Sequence, residues 1–168
     1  MRRSLTLSIA ACLSIAIVGA IIYANTLSNP FLFDSEVRIL NNPHIRVSEL
    51  TFENLKTAIF KKPGCYSRPV ANLTFVLNYY FHQYNPGGWH VVNILVHILT
   101  GVVLFLFLKA TLQFSGIRLS HLDAIAVALL TVLIWFTNPL HTQSVSYIVQ
   151  RSNCMAAFFY LLSFYLYI

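Results

Sequence analysis

Asp34 is the residue whose type and surroundings most directly suggest chemistry. It lies about ten residues beyond the first long apolar run, inside the aromatic stretch NPFLFDSEV. Apolar neighbours near a membrane disfavour the charged form of a carboxylate, and this suits a general base or a metal ligand. A second interpretation stays open from the residues alone, in which Asp34 caps a helix or pairs with Arg38.

Three polar residues of a later apolar segment share one helical face. At about 100° per residue, His90, Asn93 and His97 fall within an arc of about 60°. Polar side chains on an apolar membrane helix face protein rather than lipid. The two histidines lie two turns apart, which favours a hydrogen-bonded seam between helices over a shared metal ion.

Arg151 and His141 flank the start of the last apolar segment. A guanidinium and an imidazole at this place could bind an anionic phosphate. Arg151 could equally extend along the apolar segment to the membrane interface. Both interpretations of Arg151 stay open at this point.

The composition predicts that membrane helices hold these residues. Hydrophobic residues make up 57% of the 168 residues and charged residues 10%, against roughly 25% charged residues in a soluble domain. The high hydrophobic fraction excludes a disordered chain. The sequence has no periodic pattern of Gly, Pro or Cys, which excludes a collagen-like protein and a disulfide scaffold. The formal net charge is +6, but the basic residues are scattered among loops and apolar segments, so a nucleic-acid partner is not expected.

The apolar segments predict an all-α, polytopic transmembrane bundle with about four spans. Arg2 and Arg3 place the N-terminus in the cytoplasm, with a cleaved signal peptide as the alternative. Trp89 is expected to anchor the second span at the membrane interface. The chain stops inside the fourth apolar segment, so we expect an incomplete domain within residues 1–168. The predicted spans are residues 5–24, 91–108, 124–137 and 152–168.

A long extracytoplasmic loop, residues 25–88, has helical periodicity of its own. The pattern of residues 51–60 predicts an amphipathic helix with Thr51 as its N-cap. Pro69 suits the first turn of a second helix, and the sequence NPGG predicts a turn over residues 85–88. These loop helices would lie either on the bilayer or over the ends of the spans.

Three stretches occur in an order that resembles a known family. They are residues 23–45 (YANTLSNPFLFDSEVRILNNPHI), 66–97 (YSRPVANLTFVLNYYFHQYNPGGWHVVNILVH) and 138–155 (NPLHTQSVSYIVQRSNCM). In this order they resemble the N-terminal membrane part of the transmembrane O-mannosyltransferases that carry tetratricopeptide repeats, and of their bacterial relatives. The resemblance covers nearly all of the chain from about residue 23 and implies the GT-C glycosyltransferase fold.

The resemblance implies inverting transfer of a sugar, with mannose suggested by the family, from a polyprenyl-phosphate donor to a hydroxyl of a protein or glycan. The reaction would take place at the extracytoplasmic face. Asp34 matches the family's catalytic acid and would orient or deprotonate the acceptor hydroxyl. A divalent metal ion or cations would neutralise the departing phosphate, with Arg68, His141 and Arg151 as candidates. A multi-pass protein of the bacterial inner membrane is favoured by the short loops, with the endoplasmic reticulum membrane expected in a eukaryote.

Two positions depart from the pattern of the family. Ser35 stands where a second acid usually follows the first, with Glu36 one place further, and Gln143 replaces an acid in PLHTQSV. We expect Glu36 and Gln143 to support the site as part of the polar seam with His90, Asn93 and His97. The departures also motivate an alternative function, a non-catalytic membrane scaffold, an assembly subunit or a decayed relic of the same architecture.

Overall fold

The computed structural model describes residues 2–60, 68–114 and 119–168. Every regular element in these ranges is helical and no strand occurs in them, which confirms the predicted all-α class. Short 3₁₀ and π turns separate several of the helices. The α-helices are α1 (Arg2–Tyr23), α2 (Phe52–Phe60), α3 (Pro69–His82), α4 (Pro86–Phe114), α5 (His121–Phe136), α6 (His141–Ser146) and α7 (Arg151–Tyr167).

Two of these helices are long and apolar enough to cross a membrane. α1 has 22 residues and α4 has 29. At about 1.5 Å per residue they reach about 33 and 44 Å, more than the roughly 30 Å of a hydrocarbon core. Exposed leucine and isoleucine side chains recur at every fourth position of α1, as contact with lipid requires: Leu5, Ile9, Leu13, Ile17 and Ile21.

The helices α5 and α7 coincide with the predicted third and fourth spans but are shorter than a typical span. They contain 16 and 17 residues, against about 20 in a typical transmembrane helix. Both pack against α4, with the larger contact made by α7. α4 is therefore the central helix of a bundle with α1, α5 and α7, and the four-span topology stays a prediction.

The core of the bundle is built around the ring of Phe136 at the end of α5. A Cβ atom added at Gly19 of α1 would lie 2.7 Å from a ring carbon of Phe136, and one added at Gly101 of α4 would lie 2.8 Å from another. The absence of a side chain at these two positions lets the ring enter between the two membrane helices. Phe136 itself is fully buried.

The substitution Gly101→Ala is expected to lower the free energy of unfolding by about 1–3 kcal/mol, because the added methyl group overlaps the Phe136 ring. Thermal unfolding in detergent micelles measures the loss. In a Phe136→Leu background the smaller side chain leaves room for the methyl group, so the same substitution should cost less. Equal losses in the two backgrounds would contradict this packing.

A second hydrophobic core lies where α1 and α5 end and α4 and α7 begin, which we call the outer end of the bundle. α2 and α3 pack against each other there. Their apolar faces meet residues of the loop after α1 and of the turn before α7. The buried members of this outer core are Ile39, Ile45, Ala58, Ala71, Phe75, Val76, Trp89, Ile148 and Val149.

Both predicted loop helices are present in the structure. The hydroxyl of Thr51 accepts a hydrogen bond from the backbone N–H of Asn54 at 3.3 Å, so Thr51 caps α2 as predicted. The second loop helix begins at Pro69 and ends at His82. It stops where Gln83 adopts a φ of 47°, a left-handed conformation that a helix cannot continue through.

The start of α4 differs from the prediction. The NPGG sequence does not form a separate turn, because Pro86 occupies the first position of α4 and the side-chain oxygen of Asn85 accepts the N–H of Gly87 at 3.1 Å. Trp89 is fully buried in the outer core, where its indole N–H donates to the carbonyl of Gln83 at 2.8 Å. The expectation that Trp89 anchors the helix at the membrane interface was therefore wrong.

Candidate active site at the outer end

The candidate site is organised by residues 141–152, which we call the α6–α7 connection. Its backbone is fixed by two hydrogen bonds, from the N–H of Tyr147 to the carbonyl of Gln143 at 3.3 Å and from the N–H of Gln150 to the carbonyl of Tyr147 at 2.9 Å. Side-chain hydrogen bonds attach this connection to the loop after α1, to the start of α3 and to α4. The three sequence motifs therefore meet at one end of the bundle.

Asp34 is exposed on a tight turn that is attached to the α6–α7 connection. Its backbone N–H donates a hydrogen bond to the hydroxyl of Tyr147 at 2.7 Å. The ring of Phe33, the preceding residue, packs edge-on against the ring of Tyr147 with 6.0 Å between their centres. Ser35, the following residue, is fully buried. The side chain of Asp34 is thus exposed on a turn that is held on both sides.

Arg151 is completely buried, and its N–H groups donate to oxygen atoms of α3 and α4. Nε donates to the side-chain oxygen of Asn93 at 2.6 Å. Nη2 donates to the side-chain oxygen of Asn78 at 2.6 Å and to the carbonyl of Trp89 at 3.0 Å. Nη1 lies 3.3 Å from both the hydroxyl and the carbonyl of Thr74. This one side chain therefore joins α7 to two other helices.

The charge of Arg151 is balanced by neutral oxygen atoms and aromatic rings. The guanidinium carbon lies 5.0 Å from the centre of the Phe75 ring and 5.6 Å from that of Trp89. All of the side-chain nitrogens of Arg151 donate within the protein, so a lipid phosphate would have to displace these bonds. The geometry favours a structural role for Arg151 over the predicted phosphate binding or the interfacial position.

Arg68 and His141 are better placed to meet an anion. Arg68 is exposed, and its Nη1 donates to the hydroxyl of Ser152 at 2.5 Å. His141 is half-buried, with its ring 4.3 Å from that of Trp135. Burial lowers the pKa of His141 below its usual value, which favours the neutral imidazole at pH 7. His141 would therefore offer a phosphate one hydrogen bond, whereas Arg68 offers a charge.

The structure divides the predicted polar seam. His90, Asn93 and His97 of α4 are all buried. The amide group of Asn93 donates to two carbonyls of the α6–α7 connection at 3.0 and 3.3 Å. Glu36 and Gln143 are exposed instead, because they lie on a surface turn and on the short helix α6 rather than on the inner face of α4. The seam is therefore smaller than predicted.

Three residues that hold the site together were missed by the sequence analysis. Thr74 and Asn78 accept from Arg151, and Tyr147 accepts from Asp34. The first two are polar residues four positions apart on one face of α3, a pattern that indicates a hydrogen-bonded face. Tyr147 gave no such signal, because its partner is 113 residues away in sequence.

The described residues do not form a metal centre of their own. No group of three or more His, Cys, Asp or Glu side chains lies together in residues 2–60, 68–114 and 119–168. The turn after α1 carries two acids, Asp34 and Glu36, and both are exposed. A divalent ion held by these carboxylates would need water or a substrate phosphate to complete its coordination.

Comparison with known proteins finds relatives that are named protein O-mannosyl-transferases. The chain is 32% identical over 165 residues to the protein O-mannosyl-transferase TMTC4 of Mus musculus, an alignment that covers 92% of the chain and 22% of the relative. It is 33% identical over 162 residues to the protein O-mannosyl-transferase tmtc2 of Xenopus laevis, covering 92% and 18%. The chain is a relative of the protein O-mannosyl-transferases. The resemblance indicated by the three motifs is thereby confirmed.

The chain spans about a fifth of the length of these O-mannosyl-transferase relatives. A more distant relative, the protein O-mannosyl-transferase F38B6.6 of Caenorhabditis elegans, is 27% identical over 87% of the chain and 21% of its own length. No family model and no solved structure matches the chain. The relation to O-mannosyl-transferases and the two long apolar helices together indicate a membrane protein.

Proposed function

We propose that the chain is the N-terminal part of a membrane glycosyltransferase. It transfers a sugar, mannose by analogy with the names of its relatives, from a polyprenyl-phosphate donor to a hydroxyl of a protein or glycan. One observation carries the proposal: the exposed Asp34 turn is attached to the α6–α7 connection at Tyr147, and Arg68 is attached to the same connection at Ser152. The names of the relatives favour a transferase over the non-catalytic scaffold.

Asp34 acts as the general base in this proposal. Its carboxylate takes the proton of the acceptor hydroxyl while the hydroxyl oxygen attacks the anomeric carbon of the sugar. The bond between that carbon and the phosphate oxygen breaks, the configuration inverts, and the lipid phosphate leaves with the electron pair. An exposed carboxylate on a fixed turn suits this step, because a protein or glycan acceptor must reach it from solvent.

The negative charge that develops on the departing lipid phosphate requires nearby donors. Arg68 supplies a positive charge, and His141 supplies a hydrogen bond from its half-buried imidazole. Arg151 contributes indirectly, because it holds the α6–α7 connection against α3 and α4. A divalent ion bound to the phosphate would supply further positive charge, and Glu36 on the same turn as Asp34 would offer it a carboxylate ligand.

We further propose that the chain crosses the membrane several times and that the outer end of the bundle lies on the extracytoplasmic side of the membrane. The arginines at the start of α1 favour a cytoplasmic N-terminus, and α5 and α7 complete a four-span arrangement. The residues 24–85 between α1 and α4 then form the extracytoplasmic loop. The short segments between α4 and α5 and between α5 and α7 favour a bacterial inner membrane, whereas a eukaryotic chain would belong in the endoplasmic reticulum membrane.

The donor class is tested by transfer assays with the natural protein at its full length, purified in detergent. We expect labelled mannose to pass from polyprenyl-phosphate mannose to a hydroxyl acceptor, and GDP-mannose to give no transfer in the absence of the lipid donor. Unlabelled polyprenyl phosphate should compete with the donor. Direct transfer from the nucleotide sugar would contradict the proposed donor, and lipid binding without any transfer would support the scaffold alternative.

A further inference from the structure

Phe33 adopts a backbone conformation that a bulky side chain rarely occupies. Its φ is 50°, in the left-handed region where the Cβ atom of an L-residue is crowded. The turn is closed by hydrogen bonds from the N–H groups of Ser35 and Glu36 to the carbonyls of Leu32 and Phe33, both at 3.0 Å. A strained residue persists only where its surroundings hold it. The contacts around this turn must therefore hold Phe33 in its strained conformation.

Tyr147 contacts both residues at the centre of the turn. Its hydroxyl accepts the backbone N–H of Asp34 at 2.7 Å, and its ring meets the Phe33 ring at an angle of 79°. Tyr147 is itself held in place, because it packs against the outer core and its backbone bonds to Gln143 and Gln150. A fixed side chain thus touches the strained residue and the residue that follows it.

The other side of the turn is fixed by burial. Ser35 is fully buried, and so is Ile39, which belongs to the outer core. Asp34 therefore lies between a buried anchor on its C-terminal side and Tyr147 on its N-terminal side. The backbone at Asp34 therefore cannot move far without breaking one of these attachments.

We propose that Tyr147 is a positioning residue for Asp34. Its hydroxyl and ring hold the strained Phe33–Asp34 turn against the α6–α7 connection, and so fix the backbone position from which the carboxylate of Asp34 extends. This inference rests on the proposed role of Asp34 as the general base. Positioning of this kind matters because a displacement of about 1 Å at a reacting group can lower a rate by about 100-fold.

The test is Tyr147→Phe in the natural full-length protein, which removes the hydroxyl and keeps the ring. We expect kcat for sugar transfer to fall by about 10- to 100-fold, with little change in KM for the lipid donor and only a small change in the thermal unfolding midpoint. Amide hydrogen exchange should become faster in peptides that contain Asp34. Tyr79→Phe is the matched control, because Tyr79 also packs against the outer core but its ring contacts that of Tyr84.

The double variant separates positioning from a general structural effect. If Tyr147 acts through Asp34, adding Tyr147→Phe to Asp34→Asn should not lower the residual transfer further. An unchanged kcat in Tyr147→Phe, while Asp34→Asn abolishes transfer, would overturn this inference alone. Normal transfer by Asp34→Asn would instead overturn the proposed function. If the lower kcat of Tyr147→Phe comes with a large fall in the thermal unfolding midpoint, Tyr147 has a structural role instead.

Discussion

Asp34→Asn is expected to lower kcat for sugar transfer by about 10²- to 10⁴-fold, the usual contribution of a general base. The amide has the size of the carboxylate but cannot take the proton of the acceptor hydroxyl. The side chain is exposed and only the backbone N–H of Asp34 bonds to Tyr147. Initial rates at saturating lipid donor, measured on the natural full-length protein, give the size of the effect.

The fold should survive this change at Asp34. Substitutions at exposed sites usually alter stability by less than about 0.5 kcal/mol, so the thermal unfolding midpoint of Asp34→Asn should match the wild type. Glu53→Gln is the matched control, because Glu53 is an exposed acid on α2. A similar loss of transfer in both variants would point to a general effect of charge and not to a base at Asp34.

Arg151→Met is expected to lower the free energy of unfolding by about 3–5 kcal/mol. The substitution leaves the side-chain oxygens of Asn93 and Asn78 without the donors that lie 2.6 Å away, and an unsatisfied buried acceptor costs about 1–3 kcal/mol. Methionine fills much of the volume, so the loss reports the hydrogen bonds more than a cavity. Thermal unfolding and the yield of monodisperse protein in detergent measure the effect.

Two further substitutions make the Arg151 prediction specific. Arg151→Lys should recover only part of the stability, because one ammonium group cannot reach oxygens on both α3 and α4 in the geometry of the guanidinium. Arg68→Met should leave stability nearly unchanged, because Arg68 is exposed. A folded Arg151→Met protein of wild-type stability would show that this hydrogen-bond network does not hold the outer end together.

The elements that depend on local sequence were predictable. The apolar run after Arg3 predicts α1, the hydroxyl of Thr51 predicts the start of α2, and Pro69 predicts the start of α3. Each of these signals acts within a few residues of the chain. The NPGG segment failed as a guide, because proline and glycine occur both in turns and in the first turn of a helix.

The parts of the site that depend on distant contacts were not predictable. The sequence left Arg151 open between phosphate binding and an interfacial position, since its partners on α3 and α4 lie 58 or more residues away. The positive φ of Phe33 has no local glycine or asparagine to signal it, and its contact with Tyr147 comes from another part of the chain. Asp34 was recognised from its motif, whereas its attachment required the structure.

The most direct test of the account measures donor binding and sugar transfer in the same samples of wild-type and Asp34→Asn protein at natural full length. Binding is followed with labelled polyprenyl-phosphate mannose, and transfer is followed by the label that appears on the hydroxyl acceptor. We predict that Asp34→Asn binds the donor as the wild type does and transfers almost none of it. Normal turnover by Asp34→Asn would contradict the assignment of Asp34 as the base and with it the proposed mechanism.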